Sequence, residues 1–268
     1  MAGDLHALAV RKEIEDRHDV RCAIVEADRL PGSGGLTWSN TPGATTTLPA
    51  DDGTLVDVAS LDVVWWRRAS ARPEIPPSVT DDAHRELIVN DSQAALLGAL
   101  LNDVSGTWVS EPLATRRAEN KLVQLQAAAA CGLRTPRTIV SQDPEAIRRF
   151  CAGFQNKVVI KAVRGTHVRP PITALVDERL LGEDEAMALA PAIYQEYVPG
   201  REHIRAHVFG DNVYATALES DAVDWRPDMT TPVRAAQLPE AVECRLRGVV
   251  GHLGLEMGVI DLKVSEDG

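Results

Sequence analysis

Apolar positions change period several times along the chain. At residues 4–16, and again at 80–103, they recur every three or four residues, which predicts amphipathic helices. Residues 20–26 and 62–66 are short apolar runs bounded by Pro-, Gly- and Thr-rich loops, which predicts strands. Residues 107–110 read as another short strand, 116–131 as a helix stopped by Gly132, and 137–140 as a strand. Asp143-Pro144-Glu145 opens a further helix, with Asp143 as N-cap and Pro144 at the first position. From Lys157 onward strands dominate: 158–162, 172–176, 192–197, 203–209 and 213–219, the last two joined through Gly210-Asp211-Asn212. A helix at 239–253 and a strand at 258–264 follow. Helical and strand patterns alternate without an internal repeat, so the expected class is α/β, with α+β lobes. Both ends read as cut. Asp267-Gly268 after the final strand is a hairpin signal, and the chain starts on a helix where an open sheet ordinarily starts on a strand.

Composition narrows the functional classes. The 268 residues are 44% hydrophobic and 25% charged, ordinary for a folded globular protein with room for several lobes. A net charge of -11 argues against broad nucleic-acid binding, which rests on basic surface, yet leaves room for a local phosphate site. No run reaches the roughly 18 apolar residues of a membrane span, and the first twenty residues do not read as a signal peptide, so the expected address is the cytoplasm. Cys22, Cys131, Cys151 and Cys244 have no CxxC spacing and read as buried free thiols.

The candidate chemistry begins with two lysines. Lys121 lies early in a helix and Lys161 near the end of the strand Val-Val-Ile-Lys-Ala, so each places an ammonium at an element end. The turn Arg164-Gly165-Thr166 follows, then Gln195-Glu196-Tyr197-Val198-Pro199-Gly200-Arg201-Glu202. An extended segment of this kind offers backbone hydrogen bonds to an adenine and a carboxylate to a ribose; read blandly, it is a core strand and its turn. Arg205 on the next strand, and Arg226 within Asp224-Trp225-Arg226, are guanidiniums suited to transferring phosphoryl oxygens. Asp261, inside the apolar strand Gly-Val-Ile-Asp-Leu-Lys-Val, needs a partner: magnesium with nucleotide phosphates, or a salt bridge.

Taken in order, Lys121, Lys161, the stretch 195–215, DWR at 224–226 and GVIDLKV at 258–264 resemble the ATP-grasp fold. Within it they resemble the maturases of graspetides, the microviridin-type ribosomal peptides. WWRR at 65–68, followed by Ala71-Arg72-Pro73, and DWR are the local matches that single out this group. The resemblance spans nearly the whole chain. It implies an N-terminal pre-ATP-grasp lobe at 1–110, a central lobe at 111–198 and an incomplete C-terminal lobe at 199–268. It also implies that Lys121 and Lys161 contact ATP phosphates, that Gln195, Glu196, Tyr197 and Val198 form the adenine hinge, and that Glu202 lies near the ribose. Arg205 and Arg226, with Asp224, would serve the γ-phosphate and acyl phosphate, and Asp261 would be the first Mg²⁺ ligand. The sequence departs from the group at His203, where an acidic residue is frequent, and at Glu111, where Asn is common. The Glu and Asn that complete the magnesium site in the group would fall beyond residue 268.

The implied reaction is ATP-dependent macrocyclisation of a precursor peptide, leader plus core: an Asp or Glu side chain becomes an acyl phosphate, which a Ser or Thr hydroxyl or a Lys amine displaces. Arg67 and Arg68 would orient core-peptide carboxylates, or form a structural ion pair; Trp65 and Trp66 read as lobe packing. Leader recognition is expected in the middle lobe, around residues 172–187, and a homodimer is expected from the resemblance. Two alternatives stand beside this reading. One is an ATP-grasp ligase for free amino acids or for a protein; the other is a non-catalytic nucleotide- or peptide-binding protein.

Overall fold

The computed structural model describes residues 3–69, 73–164, 172–228 and 230–265. The chain forms two compact units, residues 1–112 and 113–268.

In the first unit, α1 (Leu5–Arg17) starts at Asp4, whose carboxylate accepts from the His6 and Ala7 N–H groups. The helix forms where the spacing predicts it, but it buries no residue, and Leu5 stays exposed. A short hairpin, β1 (Thr47–Pro49) and β2 (Leu55–Asp57), comes next. β3 (Val63–Trp65) then crosses through α2 (Asp82–Asp103) to β4 (Thr107–Val109), which pairs with it in parallel. Gly106 is required there, because a Cβ would lie 2.2 Å from the Leu61 carbonyl oxygen. Leu30, Leu48, Val58, Leu96 and Leu100 make the core, with Trp66 and Trp108 packed against it edge to face at 6.3 Å. The strand expected at 20–26 is absent. Apolar residues there find no ladder partner: Ile24 accepts one bond from the Asp51 N–H, and the Cys22 N–H donates to Glu15.

From the boundary onward run α3 (Pro112–Ala118) and α4 (Lys121–Ala130), where a single helix is expected. The break falls at Asn120, whose side chain caps α4 by accepting from the Leu122 N–H, so an N-capping residue outweighs a continuous helical period. β5 (Thr138–Ser141), α5 (Pro144–Ala152), β6 (Val158–Ala162), β7 (Ala174–Leu175), two short helices α6 (Glu178–Leu181) and α7 (Asp184–Leu189), and β8 (Ala192–Glu196) follow. Their antiparallel sheet has the order β5-β8-β6-β7. Val158, Ile160, Tyr194 and Ile139 point toward α5 and join Ile147, Cys151 and Met187 in one core. By strand alternation, Thr138, Lys161 and Gln195 occupy the opposite face.

β9 (Glu202–Phe209), β10 (Asn212–Glu219), β11 (Val233–Ala236), α8 (Glu240–His252) and β12 (Met257–Lys263) build a second antiparallel sheet, order β11-β10-β9-β12. Ala206, Val208, Ile260 and Leu262 pack on Leu246 and Val250 of α8. His203, Arg205, His207, Asp261 and Lys263 therefore share the other face. β1, β2, β11, α6 and α7 are additions to the elements expected from the sequence. Gly200, at φ +123, sits where a Cβ would lie 2.4 Å from the Val264 carbonyl oxygen, which brings the β8–β9 connection against the end of β12.

Of the four free cysteines, Cys151 is buried as expected, Cys22 and Cys131 are half-buried, and Cys244 is exposed. Two residues of the expected 71–73 loop, the Gly165-Thr166 turn and the terminal Asp267-Gly268 lie outside the described residues. No helix among the described residues is long and apolar enough to cross a membrane.

Candidate active site

The second unit brings most of the expected site residues together. Lys161, half-buried on β6, donates to Gln195 Oε1 at 2.7 Å. Gln195 is buried, and its Nε2 donates to Thr138 Oγ1 at 2.9 Å. Burial holds the Lys161 ammonium below its ordinary pKa; the charges of Lys121, Arg226 and Lys263 lower it further, and Asp224 opposes them. Lys121, at the first position of α4, is thus near enough for its charge to act on Lys161.

Asp224 is the hub of the other wall. Its side chain is 5% exposed and accepts from the Thr173 N–H at 2.9 Å and from Arg226 Nε at 2.8 Å. These bonds, led by Arg226, hold its carboxyl down to about 2 against the opposing effect of burial. Arg205 forms a two-pronged pair with Asp261, its cross-strand neighbour, at 2.8 and 3.0 Å, and its guanidinium lies 4.9 Å from the Trp225 ring centre. Lys263 Nζ sits 5.2 Å from the Tyr197 ring centre, with its pKa lowered by burial. His203 is buried between these groups with Nε2 unpartnered among the described residues. Burial, then Lys263, lowers its pKa, so it is neutral near pH 7.

In the hinge, the Glu196 N–H donates to the Arg137 carbonyl, and the Tyr197 N–H to the Lys157 carbonyl. The Arg137 N–H turns instead to the Glu196 carboxylate, at 3.1 Å. Val198 is the first residue past these sheet bonds, and its N–H makes no bond to the described residues. Glu202, on β9, pairs with Arg234.

Arg67 and Arg68 belong to the first unit, where both meet the Asp4 carboxylate, at 3.2 and 3.6 Å. Arg67 also contacts His6 Nδ1 at 3.0 Å and lies over the Trp65 ring. Of the two expectations for this pair, the geometry is that of the ion pair. Thr138, Thr173, Trp225 and Lys263 are site neighbours missed from the sequence. Lys263 was legible, since it alternates with Asp261 on a strand of period two.

Lys121, Arg226 and Lys263 thus act on Lys161, and Arg226 acts on Arg205, five cations linked in one cluster in which, among the described residues, Asp224 and Asp261 are the carboxylates that answer them. Such an arrangement fits a polyanion such as a nucleotide triphosphate. No group of three or more metal-ligating side chains occurs among the described residues. Among the described residues, Asp224 and Asp261 are the carboxylates of the cluster, each tied to an arginine, so a magnesium ion here would rest largely on phosphate oxygens.

Two antiparallel sheets, each backed by helices on one face and contributing cations to a common cluster from the other, define the class: the chain has the ATP-grasp fold, as its match to solved structures shows. No family model and no curated protein matches the sequence. The macrocyclase MdnC of Microcystis aeruginosa MRC, solved bound with the precursor peptide MdnA, superposes with a TM-score of 0.88 at 24% identity, over 100% of this chain and 86% of that one. A RiPP-associated ATP-grasp ligase of Chryseobacterium gregarium, in complex with ADP and a leader and core peptide, gives 0.88 at 23%, over 99% and 84%. The ATP-grasp ligase PsnB, complexed with a minimal precursor, Mg and ADP, gives 0.75 at 22%, over 100% and 83%.

Proposed function

We propose that this chain is an ATP-dependent macrocyclase of a ribosomally made precursor peptide. The observation that carries the reading is Lys161, held in place by Gln195 while burial and neighbouring cations work against its charge. A triphosphate relieves that repulsion, and the fold is one in which solved relatives hold ADP and precursor peptides.

The steps use the cluster in order. Lys121 and Lys161 bind phosphate oxygens, the hinge at 195–198 takes the adenine, and Glu202 serves the ribose after leaving Arg234. An Asp or Glu carboxylate oxygen of the peptide attacks the γ-phosphorus, and ADP leaves. Arg205 and Arg226 stabilise charge on the transferring phosphoryl group, where such reactions gain most of their rate. Asp224 holds Arg226 in position through its paired hydrogen bonds. A Ser or Thr hydroxyl oxygen, or a Lys amine, then attacks the acyl carbon; phosphate departs, and the proton of the nucleophile passes to solvent. Magnesium, when bound, neutralises phosphate charge, and Asp261 would hold it in exchange for its bond to Arg205.

The division into lobes at 1–110, 111–198 and 199–268, a homodimeric state and a cytoplasmic address belong to the same proposal. Arg67 and Arg68 reach peptide carboxylates in it only by giving up Asp4.

The test is ADP release with a precursor peptide rich in Thr, Ser, Asp and Glu, compared with free amino acids, with mass spectrometry reading the loss of one water per ring. Turnover with amino acids alone replaces the peptide reading with the amino-acid ligase. Nucleotide binding without ADP release on any acceptor replaces it with a non-catalytic protein.

A further inference from the structure

The face of the second sheet that carries Arg205 and Asp261 continues outward along β9 in register. The next row is His207 with Tyr214 and Val259, and the row after it is Phe209 with Asn212 and Met257. Neither row contains a carboxylate or a Lys or Arg side chain. The rings of His207 and Phe209 stack at 6.3 Å with planes 13° apart, and Phe209 meets Tyr214 at 6.3 Å. Phe209 is 42% exposed, Val259 50% and Tyr214 63%. In a chain with three Phe and three Tyr, two of the six are held in contact at the surface. Phe150 and Phe154 pack beside the first-sheet core, and Tyr194 is part of it. An exposed cluster of this kind marks a binding surface.

Its position says what it binds. The rows lie on the same strand face as the cation cluster, beginning one strand period, about 6.6 Å, beyond Arg205. In a protein of net charge -11, two rows without carboxylates, next to the row from which Arg205 joins the cation cluster, are where an acidic peptide lies with little repulsion. We infer that this shelf is a substrate-selecting surface: it takes an apolar or aromatic side chain of the peptide two residues from the carboxylate that Arg205 and Arg226 engage. An extended peptide repeats its side-chain direction every two residues, at about the same 6.6 Å, so the acidic residue and its i±2 neighbour reach the two rows together. The inference rests on the peptide-ligase reading and adds to it a rule for which acidic residue is activated.

The experiment uses the full chain, AMPPNP and fluorescent acidic peptides that carry Phe, Leu or Ser two residues to either side of a single Asp. Anisotropy gives binding and ADP release gives turnover. Wild type is expected to bind the Phe and Leu peptides about tenfold more tightly than the Ser peptide on one side of the Asp. Phe209→Ser and Tyr214→Ser, both at exposed positions, are expected to erase that preference while leaving the KM for ATP unchanged. Equal preference in wild type and variants overturns the shelf, whether or not the enzyme turns over. A dimer that Phe209→Ser or Tyr214→Ser splits also overturns it, with a second copy as the occupant. Preference in binding without ADP release keeps the shelf and rejects the ligase; turnover without preference does the reverse.

Discussion

Asp224→Asn probes the junction between the two sheets of the second unit. The wild-type carboxylate accepts from the Thr173 N–H, beside the first sheet, and from Arg226, beyond β10. Its pKa of about 2, against an ordinary 3.8, amounts to about 2 kcal/mol at about 1.4 kcal/mol per unit. Because the folded-state value is depressed, this contribution is present above the ordinary pKa and is lost as pH falls through the folded one. Asn keeps an acceptor for Thr173 but loses the charge and the second oxygen facing Arg226. Arg226 is 55% exposed, so water recovers part of the loss. The net cost at neutral pH is then about 1–2 kcal/mol. Urea unfolding of wild type and variant from about pH 7 to about pH 2.5 should show that gap closing below about pH 4. A gap that stays constant across the range refutes the assignment, since a packing defect has no reason to titrate there. The same variant removes an anion that raises the Lys161 pKa, so the lysine pKa falls further.

Three other perturbations follow from the site. Lys161→Met should lose most of the thermal stabilisation that ATP confers and lower ADP release by at least about a hundredfold, while the nucleotide-free protein changes by less than about 1 kcal/mol, because relief of burial and repulsion offsets the unpaired Gln195; thermal melts with and without ATP check both. Arg205→Lys gives up the two-pronged pair with Asp261 and the stacking on Trp225, so kcat should fall about a hundredfold or more with little change in ATP affinity, read from steady-state kinetics. His203, lowered by burial and by Lys263, should remain neutral through its ordinary pKa near 6.5, and stability should decline as pH falls from there toward the folded value; NMR titration of the ring checks this, and Lys263→Met should raise the His203 pKa.

The sequence was most legible where a local signal and a tertiary need coincide. Asp143-Pro144 places the start of α5, and Lys161, Arg205 and Asp261 stand out as charges inside apolar strands. The strand expected at 20–26 failed for a physical reason: apolar residues specify burial, but a strand exists only where another supplies its hydrogen bonds. Asn120 reads from sequence as a tolerable interior helix residue, and only the fold shows it as a cap that puts Lys121 on the first turn. The partners of the charges were the least visible part. Asp224 finding Thr173, 51 positions away, follows from a loop meeting the residue before β7, and Gln195 finding Thr138, 57 away, from sheet register; no local pattern encodes either.

That last contact lies in a chain with a direction. Lys161 donates to Gln195, Gln195 to Thr138, and the Thr138 hydroxyl to the Pro136 carbonyl at 2.8 Å. An ammonium has no lone pair and a proline no amide hydrogen, so neither end can run the sequence backwards, and each dipole reinforces the next. A lysine side chain left free carries about 2 kcal/mol of rotamer entropy that an arriving phosphate would have to suppress. Here folding has already removed that freedom, and the incoming anion meets a cation that is aimed before it arrives.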